Sequence, residues 1–137
     1  MTAATYDVLG IGNAIVDILA RTEDGFLSGQ GMTKGAMALI DEARAAAIYQ
    51  AMGPATEISG GSAANTIAGL ADLGARTAFV GKVRDDQLGN VFSHDIRAAG
   101  VAFETRAASV GAATARCYVL VTPDGERTMN TYLGAAQ

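Results

Sequence analysis

A chain of 137 residues, half of them hydrophobic, is long enough to bury one real core and short enough to form a single domain. Its net charge of −4 and its lack of clustered lysine and arginine exclude a nucleic-acid backbone as the main partner, since phosphate binding needs a concentrated basic face. The single cysteine excludes an internal disulfide and fits a reducing cytoplasm, Met1–Asp7 lacks the features of a signal peptide, and no apolar run is long enough to cross a membrane.

In chain order, Tyr6 to Ile11 reads as a buried strand ending at Gly12-Asn13. Gly10-Ile11-Gly12 opens like a dinucleotide fingerprint, but Ile15 stands where the third glycine belongs and Asp17 is too close to be the ribose-binding acid. Asn13 and Asp17 lie just past the strand's C-terminal end, where open α/β sheets place their ligands. An amide and a carboxylate together can hydrogen-bond a vicinal diol. The other reading has Asn13 turning the chain and Asp17 exposed on a second short strand. There Val16, Ile18 and Ala20 alternate with Asp17 and Leu19, as in an edge or lid strand. Arg21 to Gly35 reads as a loop with a helical turn near Asp24 to Leu27, and Met37 to Ile40 as another lid strand. Asp41 caps a helix over 41–52 that buries Ala45, Ile48 and Met52 and stops at Gly53-Pro54.

A short strand, Ala55 to Ser59, leads into Gly60-Gly61 and then a helix with Ala63, Ile67, Leu70 and Ala71 as its buried stripe and Gly74 as its stop. Free N–H groups and the positive dipole end point outward at such a helix start, and glycines there let a polar ligand reach the backbone. Asn65, one turn in, can face the same spot. The plainer alternative is a tight strand-to-helix turn with a local asparagine. No Gly-Lys-Ser/Thr follows, so this is not a P-loop.

Arg76 to Val83 reads as the next strand, and Asp85 or Asp86 as the cap of a helix burying Leu88, Val91, Phe92, Ile96 and Ala99 before Gly100. His94 falls off that stripe and reads as a solvated residue; Asp95 falls within it without a reason visible in the sequence. Val101 to Arg106 reads as a short strand. Ala112 to Val121 and Glu126 to Leu133 flank Thr122-Pro123-Asp124-Gly125, a hairpin turn. Cys117 sits mid-strand with nothing nearby to stabilise a thiolate, so a Cys-His nucleophile is not expected. Asp7, Asp17, Asp72, Asp85, Asp86 and Asp124 are scattered, without metal-ligand spacing.

Three motifs in order, Gly10-x-Gly12-Asn13-x-x-x-Asp17, Gly60-Gly61-x-x-x-Asn65 and Gly81-x-Val83-x-x-Asp86-x-x-Gly89, resemble the N-terminal part of ribokinase-like (PfkB-type) carbohydrate kinases. The opening Gly-Asn-x-x-x-Asp-Ile and Thr114-x-x-Cys117 are most similar to the adenosine kinase-like branch. The resemblance implies a doubly wound α/β sheet, here incomplete, with a small β-sheet lid from about 16–40 and 112–132. It implies phosphorylation of a primary hydroxyl of a sugar or nucleoside with ATP and Mg2+. Asn13 and Asp17 would hold sugar hydroxyls, Gly60, Gly61 and Asn65 would line the pocket, and Leu39, Cys117 and Leu133 would form its lid-side walls. A homodimer through the lid would be consistent with it.

Two departures stand out. Arg84 occupies a position that is glycine in the family's third motif. The family's Gly-Ala-Gly-Asp motif, which supplies the general base and anion hole, and its metal-linked Asn-x-x-Glu do not occur in residues 1–137. The resemblance therefore covers the first half or less of such a kinase. This stretch alone is expected to hold no catalytic residue, to bind no ATP or Mg2+, and to lack activity. An open sheet would leave an apolar edge, so the isolated chain is expected to be unstable or to associate. Two rival readings are a non-catalytic binding module, or pseudo-kinase half, acting with a partner chain, and a structural α/β domain whose glycines only make turns.

Overall fold

The computed structural model describes residues 3–137; Met1 and Thr2, the start of the stretch read above for a signal peptide, lie outside the described residues. β1 (Val8–Ile11) pairs in parallel with β5 (Thr77–Val80), Val8 opposite Thr77 and Ile11 opposite Val80. Helix α3 (Ser62–Asp72) lies on one face of this pair. It comes so close that a Cβ at Gly12 would sit 2.7 Å from that of Ala63, and one at Gly10 would run into Ile67. The other face is bare: Leu9 is 57% and Ile11 74% exposed. The strand expected to be buried is thus covered by a helix on one side only, and none of its four residues is fully buried. A parallel pair is normally covered on both faces by crossover helices, and among the described residues only one cover is present.

The second sheet has five strands in the order β3-β7-β6-β2-β4. These are β2 (Ile15–Arg21), β3 (Met37–Leu39), β4 (Thr56–Gly60), β6 (Ala115–Val121) and β7 (Arg127–Tyr132). β2 runs antiparallel to β4 and parallel to β6, while β6 and β7 form the expected hairpin around Thr122–Gly125. That turn closes with Gly125 N–H donating to the Thr122 carbonyl at 2.8 Å. β2 is therefore an inner strand; of the two readings its alternation allowed, edge or lid, the ladder removes the edge. Period-two alternation reports one buried face and says nothing about how many neighbours a strand has. Val16, Ile18 and Tyr118 on the back of this sheet pack with Ala45 and Ile48 of α2 (Glu42–Ala51), and Ala20 and Leu120 pack with Leu27 of α1 (Asp24–Gly29). No helix covers the front face among the described residues.

The helix stripes are close to expectation, with local differences. In α3 the fully buried residues are Ala64 and Ile67, with Ala63, Leu70 and Ala71 at the margin. In α4 (Gln87–Ala98), Gly89, Phe92 and Ile96 are buried, whereas Ala99 lies past the helix end and is exposed. Val101–Arg106 forms a single bridge, Ala102 to Ala78, and not a strand. Its Val101 and Phe103 are nevertheless buried, and Phe103 meets Phe92 edge-on with centroids 5.3 Å apart. Asp95 acquires a reason. Its Oδ2 accepts the Ser59 N–H at 3.1 Å, satisfying a donor on the outer edge of β4. His94 is exposed, with Nδ1 3.1 Å from Asp95 Oδ1.

Asp86 is the α4 cap and also a joint. Oδ1 accepts from Gly89 N–H at 2.8 Å and from the Thr114 hydroxyl at 2.7 Å, and Oδ2 accepts from Thr114 N–H at 2.9 Å. Burial opposes the charge, but these bonds and the nearby Arg84 outweigh it and hold the Asp86 carboxyl below its ordinary value. Asp86→Ala removes the cap and strands buried Thr114 donors, with an expected cost of roughly 2–4 kcal/mol. Because the folded pKa is depressed, the stabilisation is complete above the unfolded value of 3.8 and fades as pH falls through the folded one. Denaturant titrations of parent and variant at neutral and acidic pH check this: their difference shrinks in acid. Arg84 donates through Nη1 to the Gly111 carbonyl, and its N–H donates to Thr114 Oγ1 at 2.9 Å. No non-glycine residue among those described has positive φ, so the backbone at Arg84 does not require the family's glycine.

Candidate functional site

The Gly60-Gly61 corner joins β4 to α3. Gly61, with φ +96°, precedes the first helical residue, and no side chain caps the helix. The first bond of α3 runs from Asn65 N–H to the Gly61 carbonyl at 2.9 Å, leaving the N–H groups before it for solvent or a ligand. A Cβ on Gly61 would lie 2.5 Å from the Asn13 carbonyl oxygen, so the turn after β1 touches this corner directly. Ile15 pairs with Gly60 across the β2–β4 ladder, and a Cβ on Gly60 would fall onto the Asp17 carboxylate. Asn13, Asp17, Gly60 and Gly61 thus converge from β1's exit, β2 and the start of α3.

Asp17 is half-buried and has no hydrogen-bond partner for its carboxylate among the described residues. Burial pushes its pKa above the ordinary value. Ladder register places it in a row across the open front face: Ile58, Asp17, Cys117, Thr131 and Leu39. Leu39 is 64% and Ile58 48% exposed. Cys117 is buried and accepts from the Thr131 hydroxyl at 3.2 Å. Burial pushes its thiol pKa up, and the Asp17 charge adds to this against the opposing Thr131 bond, which favours the neutral thiol. Leu133 lies one residue beyond the β7 ladder and is half-buried. Asn65 is exposed in the first turn of α3, without a side-chain partner among the described residues.

Of the residues singled out in the sequence, Asp17, Cys117 and Leu39 share one row, and Asn13, Gly60 and Gly61 close one end of that face. Thr131 and Ile58 belong to the same row and went unnoticed in the sequence. The alternation of β7, with Thr131 opposite in phase to Asn130, is the signal that could have found Thr131. Chemically, the arrangement offers an unpaired carboxylate and free helix N–H groups beside an apolar sheet face, which suits a polyhydroxylated molecule with an apolar part.

A parallel pair, a helix start open at a glycine corner and a five-stranded sheet bearing a carboxylate make this a mixed α/β fold. The chain belongs to the pfkB family of carbohydrate kinases, whose pattern matches residues 41–137. Its fold is that of adenosine kinase from Sinorhizobium meliloti, with 61% identity and a TM-score of 0.90 over 97% of this chain and 41% of that one. A probable sugar kinase from Rhizobium etli is similar at 54% identity and TM-score 0.90, over 98% of this chain and 41% of that one. Among curated relatives, probable fructokinase-4 of Arabidopsis thaliana is 38% identical over 73 residues, which are 53% of this chain and 22% of the relative. The chain spans about two fifths of the solved structures and about a fifth of the curated relatives it matches.

Proposed function

We propose that residues 1–137 are the substrate-side portion of an ATP-dependent kinase that phosphorylates a primary hydroxyl of a sugar or nucleoside. The observation that carries this is the unpaired, half-buried Asp17 carboxylate held against Gly60. Leaving a carboxylate partly desolvated without a partner is costly, and a ligand diol donating two hydrogen bonds removes the cost. In this reading Asn13 and Asp17 hold ring hydroxyls. Gly60, Gly61 and Asn65 line the polar end, and Leu39, Cys117 and Leu133 wall the other. The five-stranded sheet acts as the lid and the β1–β5 pair belongs to the base. The 61% identity to one adenosine kinase supports a ribosyl nucleoside as first choice of substrate, and the 54% identity to a probable sugar kinase supports a sugar as the next.

ATP and Mg2+ enter from the family alone. Among the described residues no group of three His, Cys, Asp or Glu side chains is placed to hold a metal ion. In this reading the chain binds and orients the substrate, and phosphoryl transfer draws on the family's Gly-Ala-Gly-Asp motif, which residues 1–137 do not contain. The exposed Leu9 and Ile11 face favours a second reading, in which this chain works as a binding half beside a partner that covers it. The test is an ADP-release screen over ribosyl nucleosides, ribose and fructose with the protein from its native source, set beside the 137-residue chain alone. Transfer to a primary hydroxyl by the former and none by the latter is expected. Transfer by the 137-residue chain itself, or none by either, would contradict the assignment.

A further inference from the structure

On the side of the five-stranded sheet away from Asp17, a cleft opens between α2 and α4. It is lined by Ile18, Glu57, Arg116 and Tyr118 from the sheet, Tyr49 from α2 and Leu88 from α4. Tyr118 is 1% exposed, and its hydroxyl accepts from Arg116 Nε at 3.1 Å. The guanidinium is also held over the Tyr132 ring, 5.0 Å from the centroid. This fixes the Arg116 head but neutralises nothing. Among the described residues it has no carboxylate partner, both terminal nitrogens lack an acceptor, and so does the Tyr118 hydroxyl hydrogen. Glu57 likewise has no ion pair or side-chain hydrogen bond among the described residues.

The two unpaired charges have a defined spacing. Glu57 is level with Ile18 and Tyr118, while Arg116 is level with Val16, on the third strand from Glu57. With strands ~4.8 Å apart and a rise of ~3.3 Å per residue, their Cα atoms are roughly 12 Å apart. The Arg116 head is held over Tyr132 on the β7 side and Glu57 lies on the β4 side, so a ligand that meets both charges lies across Tyr118 and Ile18. A lone anion there meets repulsion from Glu57, and a lone cation meets it from Arg116. A molecule carrying both charges meets neither.

The geometry points to a second binding site for a small zwitterion, an α-amino acid by class, with its carboxylate on Arg116 and Tyr118 and its ammonium facing Glu57. Tyr49, 56% exposed, and Leu88 supply an apolar wall for its side chain. The site is on the opposite face from Asp17 and does not depend on the kinase reading.

Calorimetric titration of the protein with phenylalanine and leucine, and with 3-phenylpropionate and phenethylamine as single-charge analogues, tests it. Saturable binding of at least one amino acid is expected with a Kd below about 1 mM. Both single-charge analogues are expected to be at least about tenfold weaker, because each leaves one protein charge without its partner. Arg116→Met and, separately, Glu57→Gln should weaken amino-acid binding to the analogue level. The glutamine variant keeps the size of the side chain, so its effect reads charge and not collapse. Absence of saturation by both amino acids, equal binding of all probes, or parent-like binding by Glu57→Gln overturns the inference.

Discussion

Asp17→Ala is expected to reduce substrate affinity of the complete protein by about 100-fold or more, while leaving the fold as stable as the parent or more so. The two effects have one cause. In the proposed complex the carboxylate accepts two hydrogen bonds from a diol, each worth about 1.5–3 kcal/mol when the acceptor is charged. Without ligand, the same group is partly desolvated and has no partner among the described residues. The pH dependence gives a second readout. Burial raises the folded pKa above the unfolded value of 3.8, so between those two values the folded state binds more protons than the unfolded state. Stability contributed by this group therefore falls as pH rises through that window. Asp17→Asn abolishes the fall, and saturating substrate reverses it. The measurements are KM for the preferred substrate and denaturation midpoints from acidic to neutral pH, for parent and both variants. An unchanged KM in Asp17→Ala would remove Asp17 from the site.

The two glycines of the β4–α3 corner are expected to fail in different ways. At Gly61, alanine must adopt φ near +96° and bring a Cβ to 2.5 Å from a backbone oxygen of Asn13, where neither group can swing away. Left-handed strain and overpacking together are expected to cost roughly 2–5 kcal/mol, a large part of the stability of a domain this size. Gly60 has ordinary φ, and its added methyl meets the Asp17 side chain, which can rotate. Gly60→Ala is therefore expected to fold with a smaller stability loss while displacing the carboxylate and weakening substrate binding almost as much as Asp17→Ala. Denaturant midpoints and substrate affinity measured on both variants separate the cases. If Gly61→Ala were as stable as parent, the close contact between the β1 exit and the helix start would be wrong.

The bare face of β1 and β5 bears on the behaviour of the isolated chain. Leu9, Ile11 and Val80 form an apolar surface beside an unpaired strand edge, the combination that promotes association.

What was legible in the sequence were features closed within a few residues. The Asp41 cap, the α4 cap that the sequence left between Asp85 and Asp86, and the Thr122–Gly125 turn depend on hydrogen bonds that reach three or four positions along the chain. The glycine corner at 60–61 and its open helix start belong to the same class, because backbone geometry there follows from the absence of side chains. Motif order then carried the family. The placement of β2 between β4 and β6 was not legible, nor was the exposure of β1, because hydrogen-bonding edges carry no residue signature and hydrophobicity does not name its cover. Val101–Arg106 was misread as a strand for the same reason: its buried Val101 and Phe103 serve a core that only one bridge ties to the sheet. Asp95 needed the edge of β4, and the unpaired state of Asp17 needed Gly60 brought beside it by the ladder. Local chemistry thus determined the helices, turns and candidate polar groups. Tertiary pairing alone decided which of those groups share a face and which charge is left desolvated, since both depend on atoms contributed from distant parts of the chain.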